Sequence, residues 1–192
     1  MRTAALCAAA LLSGCASQLV NVQETIPDVV VDMRYATSEN FLRQPLYHSS
    51  RCLLRPAVAD RLARVAGRLR GQGLRLVVWD CYRPLRVQRK MWAMVPDERY
   101  VADPEKGSNH NRGAAVDVTL AEPSGRPLQM PTAHDDFTRA AHADAPAPDV
   151  ARFNREKLRK AMMAEGFVPL ATEWWHFATP DATEYDVIDE PL

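Results

Sequence analysis

Ser108-Asn109-His110-Asn111-Arg112-Gly113-Ala114-Ala115-Val116-Asp117 sets a histidine in a polar loop, a glycine just after it and a carboxylate further along. Gly113 lets the backbone turn closely, and residues 114–120 then alternate as a strand that begins with two tiny side chains. By itself such a His/Asp pair is an ordinary surface feature. It gains meaning from a second stretch, Glu173-Trp174-Trp175-His176, in which two bulky aromatics separate an acid from another histidine. On a regular strand Glu173 and His176 face opposite ways, so the chain bends there or the two residues have different roles.

Two imidazoles and one carboxylate form a three-ligand zinc site with one position left for water, and a second carboxylate nearby can take that water's proton. His110, Asp117 and His176 supply the ligands and Glu173 the remaining acid. Mixed nitrogen and oxygen donors without thiolate suit tetrahedral zinc best. Either histidine alone reads equally well as a satisfied core residue; together they favour the metal.

The surrounding segments predict the fold class. Pro56 opens a stripe of Val58, Leu62, Val65 and Leu69, and Gly71 and Gly73 stop it, so this is a helix. Residues 74–79 are short and partly β-branched, which predicts a buried strand; Pro84 then starts a second helix carrying Val87, Met91 and Met94. Asp80-Cys81-Tyr82-Arg83 is the turn between them. Residues 96–109, 124–127 and 141–148 carry turn and loop signals. Asp149 is placed to cap a third helix with Phe153, Leu158, Ala161 and Met162 inward, ended by Gly166, and residues 174–178 make a last strand. With no repeat and no second domain, the expectation is α+β: helices packed on a small, mainly antiparallel sheet.

A chain of 192 residues, 47% hydrophobic and 25% charged, has the composition of one globular domain, which excludes disorder and collagen. Lys+Arg and Asp+Glu balance at 24 each, leaving no basic field to attract nucleic acid. At the N-terminus Arg2, an apolar run over 3–12 and Leu12-Ser13-Gly14-Cys15 make a segment too short to span a bilayer. It resembles a bacterial lipoprotein signal, with a soluble export signal as the nearest competitor and an unprocessed cytosolic N-terminus behind it. The division expected is a signal over 1–14, a lipidated N-terminus and tether over 15–28 attached to the membrane through Cys15, and a catalytic domain over 29–192. That implies an exported, periplasmic protein. Cys7 then leaves with the signal and Cys15 is acylated, so Cys52 and Cys81 remain, either paired in an oxidising compartment or as two buried thiols.

The pattern S-x-H-x-x-G-x-A-x-D followed by E-x-W-H resembles the zinc D-alanyl-D-alanine peptidases, a group with a hedgehog-like fold that includes dipeptidases and D,D-carboxypeptidases. Asp32-Met33-Arg34-Tyr35-Ala36-Thr37 with Asn40-Phe41, and Trp79-Asp80-Cys81-Tyr82-Arg83-Pro84, resemble the dipeptidase branch, and the likeness runs from Val29 to Phe177. The resemblance implies one zinc ion on His110, Asp117 and His176, Glu173 as general base, and Arg83 as the donor to the developing oxyanion. A free dipeptide carries an ammonium beside the scissile bond, which needs an acid. The family's acid ends an M-G-T-x-F-D pattern; here Met130-Pro131-Thr132-Ala133-His134-Asp135 puts Asp135 there but departs at Pro131 and His134. Pro131 can re-aim the loop and a cationic His134 can compete for Asp135, so strictness for free dipeptides stays open.

Tyr35 and Ser108 are further candidates for hydrogen bonds to substrate, Ser108 equally for shaping its loop. Trp174, Trp175 and Phe177 read as core or pocket wall, and His48 and His142 as surface residues. The function implied is zinc-dependent hydrolysis of D-Ala-D-Ala to two D-alanines in cell-wall peptide turnover. The alternatives are a D,D- or L,D-carboxypeptidase trimming peptidoglycan stem peptides, or a non-catalytic zinc-containing wall-binding module. Intact Glu173 and Arg83 speak against the module, because binding needs no base.

Overall fold

The structure is a computed structural model that describes residues 19–192. Cys15, with the signal and lipidation readings, lies outside the described residues. In chain order the elements are β1 (Val20–Asn21), α1 (Val22–Thr25), β2 (Val30–Val31), β3 (Leu53–Leu54), α2 (Pro56–Arg70), β4 (Arg75–Asp80), α3 (Leu85–Met94), β5 (Ala115–Ala121), α4 (Asp149–Ala164), β6 (Val168–Leu170) and β7 (Glu173–Ala178). No helix among the described residues is long and apolar enough to cross a membrane.

The central sheet has five strands in the order β2-β4-β5-β7-β6, and only the β2–β4 pair is parallel. β1 and β3 form a separate antiparallel pair. Helix α2 begins with Pro56 in its first turn and buries Val58, Leu62, Val65 and Leu69 at the predicted spacing. It packs against α4 and β4, while α4 also touches β5, β6 and β7. The apolar residues Val116, Val118 and Leu120 of β5 are buried, and strand alternation turns Asp117 to the opposite face from them. The fold is thus the expected α+β arrangement.

Four local expectations need correction. The fold includes residues ten positions before Val29: Leu19, Val22 and Ile26 are buried, and Val22 N–H donates to Cys52 O at 2.9 Å. Residues 19–28 are therefore part of the fold and not a tether; of the three, only Val22 lies in the four-residue helix α1, with Leu19 and Ile26 flanking it, so the run gives little periodic signal. On α4 the inward residues are Ala151, Asn154, Arg155, Leu158, Ala161 and Met162, and Phe153 is 60% exposed because it lies off that stripe. Pro148 occupies the N-cap position, no side-chain cap bond is made, and Asp149 is the first helical residue. Met94, at the end of α3, is exposed, whereas Val87 and Met91 are buried.

Cys52 and Cys81 are disulfide-bonded, with Cα atoms 5.2 Å apart. The bridge ties the β3 segment to the turn after β4, where Tyr82 N–H also donates to Leu53 O at 2.9 Å. With 29 residues of separation, loop-closure entropy values the bond at about 3–4 kcal/mol. A Cys52→Ser/Cys81→Ser double variant should lose that much in denaturant unfolding; an unchanged midpoint and slope would refute it.

Candidate active site

His110 sits in a single helical turn, His110–Arg112, that closes on Gly113 in the left-handed region at φ 66°. A Cβ on Gly113 would lie 2.5 Å from Leu19 Cδ2, so both the backbone angle and the space require glycine. The turn is stitched to the segment after β4. Arg83 N–H donates to His110 O at 3.1 Å, and Asn111 Nδ2 donates to Arg83 O at 2.8 Å. Ser108 Oγ accepts from His110 N–H at 3.2 Å, and Ser108 N–H donates to Asn111 Oδ1 at 2.7 Å. Ser108 therefore shapes the loop while lining the cavity.

His110 Nδ1 lies 2.7 Å from Cys81 O, a contact that needs the proton on Nδ1 and leaves the Nε2 lone pair facing the site. Asp117 on β5 pairs in register with His176 on β7. Their facing atoms converge: His110 Nε2 is 3.1 Å from His176 Nδ1 and 3.3 Å from Asp117 Oδ1, and His176 Nδ1 is 3.0 Å from Asp117 Oδ1. A tetrahedron with zinc–ligand bonds of about 2.0–2.1 Å has edges of about 3.3 Å, so the three donors already stand at ligand spacing. The set is mostly buried, and an acceptor nitrogen facing a carboxylate oxygen is stabilised by a shared cation. The residues fit a divalent metal.

Glu173 and His176 do not follow regular strand alternation. The β6–β7 register shifts between Pro169, which pairs with Phe177, and Leu170, which pairs with Glu173, so β7 holds extra residues over Trp174-Trp175-His176. The bulge brings Glu173 Oε2 within 3.9 Å of His176 Nδ1 and turns both side chains to one cavity while Trp174 and Trp175 are buried. Burial raises the Glu173 carboxyl to about 7, the nearby Asp117 charge adding to it against His176. Burial works the same way on Asp117, yet His110, with hydrogen bonds from His134 and His176, holds its carboxyl well below the usual range. One acid is thus ready to exchange a proton near neutrality and the other is fixed as an anion.

Arg83 reaches the same cavity. Its Nε and Nη2 donate to Asp80 Oδ2 at 3.0 and 2.7 Å, its Nη1 to Gln88 Oε1 at 2.8 Å, and its guanidinium lies 5.0 Å from the Tyr35 ring centroid. Asp135, at φ 58°, enters the cavity despite the Pro131 departure. Its Oδ1 accepts from Tyr35 O–H at 2.8 Å and its Oδ2 from Phe41 N–H at 3.2 Å. Burial and the Asp135 charge push the Tyr35 hydroxyl well above its ordinary value, so it remains the donor. The cavity volume is about 390 Å³.

A family profile described as D-Ala-D-Ala dipeptidase matches residues 15–190. The D-alanyl-D-alanine dipeptidase of Escherichia coli K12 is 36% identical over 173 residues, covering 90% of each chain. That of Streptomyces coelicolor is 32% identical, covering 89% of this chain and 96% of its own, and that of Enterococcus faecium is 29% identical over 83% and 90%. This chain belongs to the D-Ala-D-Ala dipeptidase family.

For a member of that family, the structure adds residues to which the sequence reading assigned no role. Asp80 is fully buried and accepts from Tyr47 O–H at 2.7 Å as well as from Arg83. Gln88 holds Arg83 on one side and donates to Ala102 O at 2.7 Å on the other. Asp80 lay inside the quoted Trp79-to-Pro84 segment, and its nearness to Arg83 was the available signal; Gln88 offered none. His134, expected to compete for Asp135, does lie 3.5 Å from Asp135 Oδ2 through Nδ1, and it also turns its Nε2 toward Asp117 Oδ2 at 3.1 Å. His48 is exposed, while His142 is half-buried and contacts Arg139.

Proposed function

We propose that this enzyme hydrolyses the free dipeptide D-Ala-D-Ala to two D-alanines, with one zinc ion held by His110, Asp117 and His176. The observation that carries the reading is the convergence of those three donors, the proton-exchanging Glu173 and the held Arg83 on one cavity. Zinc at such a site supplies a Lewis acid and lowers the pKa of water. Glu173 takes the proton of the attacking water and delivers it to the leaving amine, which its value near neutrality suits. Arg83, kept charged and immobile by Asp80 and Gln88, offers fixed donors to the oxygen that becomes negative. Ser108 lines the same cavity and can hydrogen-bond substrate as well as shape its loop.

At the other end, Asp135 is positioned for the substrate ammonium, since each of its oxygens retains acceptor capacity after the Tyr35 and Phe41 bonds. Beyond it stand Phe41 and Phe137, ring centroids 5.1 Å apart, and Tyr100 stacked on Phe137 at 4.6 Å. These rings line the same cavity as Asp135, and the dipeptidase reading requires that they block a peptide continuing past the amine, whereas a carboxypeptidase would need it to pass them. Zinc-loaded protein should release alanine from D-Ala-D-Ala and not from L-Ala-L-Ala, and only slowly from a D-Ala-D-Ala-terminated pentapeptide. Preferred cleavage of the pentapeptide would make it a carboxypeptidase, and no cleavage of any would favour the binding module.

An ammonium taken from water needs its counter-charge. Asp135→Ala should therefore damage turnover of D-Ala-D-Ala far more than that of its N-acetyl analogue. Equal losses on both would make Asp135 a structural residue.

The same proposal places the enzyme outside the cytoplasm as a lipoprotein anchored through Cys15. Support comes from the Arg2, apolar run and Leu12-Ser13-Gly14-Cys15 pattern and from a disulfide that suits an oxidising compartment. Labelling with a fatty acid should mark the wild-type protein and not Cys15→Ser; equal labelling would reject the anchor.

A further inference from the structure

His134 stands where the family pattern quoted above has phenylalanine. Its side chain is 3% exposed and is enclosed by aromatic rings, with centroids 5.2 Å from Trp79, 5.5 Å from Trp175 and 5.6 Å from Tyr35. A phenyl ring suits such a box, so packing alone does not explain an imidazole. The polar contact does: Nε2 lies 3.1 Å from Asp117 Oδ2, while Asp117 Oδ1 faces His110 and His176. Among the described residues no other side chain donates to Oδ2. His134 Nδ1 lies 3.5 Å from Asp135 Oδ2 and makes no hydrogen bond, so of the two ring nitrogens only Nε2 makes one.

We propose that His134 is a positioning residue for the metal: by donating from Nε2 to Oδ2 it fixes the Asp117 carboxylate with Oδ1 turned to the two imidazoles. A carboxylate held in this way loses less rotational freedom when it ligates, and the ring that holds it is itself immobilised by three aromatic neighbours. The residue touches neither substrate nor metal and acts only through Asp117.

The inference rests on the metal reading, and zinc affinity separates the two. Zinc would be titrated against a chelating dye into wild type, His134→Phe and His134→Gln, with thermal melts of each zinc-free protein. His134→Phe keeps the aromatic packing and removes the donor, so its affinity should fall about 10–100-fold, the usual scale for an outer partner of a metal ligand. His134→Gln places an amide donor near the Nε2 position and should recover most of that loss, although it packs the box less well. A Phe variant that binds zinc like wild type overturns the proposal, as does a Gln variant no better than Phe. Should the loss instead track a lower zinc-free melting temperature, His134 is a packing residue and the proposal fails. Wild type that binds no zinc would reject the metal reading itself.

Discussion

Glu173→Gln is expected to lower turnover of D-Ala-D-Ala by about 10²–10⁴-fold, the scale of general acid–base catalysis, while zinc content stays near that of wild type. Glutamine keeps the shape and one acceptor but cannot take up a proton. The carboxyl lies 3.9 Å from His176 Nδ1 at its nearest, outside the 3.0–3.3 Å triangle of the three donors, so its removal should leave the ligands in place. Loss of zinc together with activity would instead make Glu173 a ligand. A base must be ionised to act, and burial raises this one to about 7. Turnover should therefore fall tenfold per pH unit on an acidic limb. A bound cation draws the value down, so the limb lies at or below pH 7, and the residual rate of Glu173→Gln should lack it. A wild-type profile flat down to pH 5 would contradict the assignment.

Asp80→Ala should destabilise the protein by about 3–5 kcal/mol, because it strands the charge of Arg83 in the interior. The pair is buried, 9% exposed at Arg83 and 0% at Asp80, so solvent screening offers little relief. Burial opposes the charge on Arg83, but Asp80 and the neighbouring groups keep it a cation far beyond neutral pH, so deprotonation is no escape. Gln88 and the face of Tyr35 would remain beside it, and neither carries a charge to replace Asp80. Asp80→Asn retains the shape and one acceptor oxygen and should cost less stability, yet it loosens the guanidinium and should lower kcat more than it raises KM. Denaturant unfolding and steady-state kinetics read the two effects. Loss of less than about 1 kcal/mol in Asp80→Ala would mean that Arg83 finds solvent and is not held for catalysis.

The helices α2 and α3, the strand carrying Asp117 and the candidate metal ligands were legible in the sequence because each rests on local chemistry. Val58, Leu62, Val65 and Leu69 repeat at the helical period between Pro56 and Gly71. Gly113 is demanded by a positive φ. His110, Asp117 and His176 form a donor set whose residue types suit a divalent metal. Side chains whose role lies in distant contacts were not legible. Phe153 looks inward from its hydrophobicity, yet it is exposed because the partner strands lie on another side of α4. Leu19, Val22 and Ile26 looked like part of a tether, since nothing nearby in sequence says that α2 packs on α1.

By itself, then, the sequence determined the fold class and pointed to the candidate donors and the candidate acid, because periodicity, backbone angle and ligand type are properties of short stretches. Tertiary structure alone decided that Glu173 and His176 share a cavity, since the bulge in β7 is set by pairing with β6. It also decided that Asp80 and Gln88 hold Arg83, and that His134 hydrogen-bonds Asp117 while its other nitrogen stays 3.5 Å from Asp135. Each of these is a polar contact in a buried place. Such a contact depends on which groups the packed chain brings within about 3 Å and on the need of each to find a partner there.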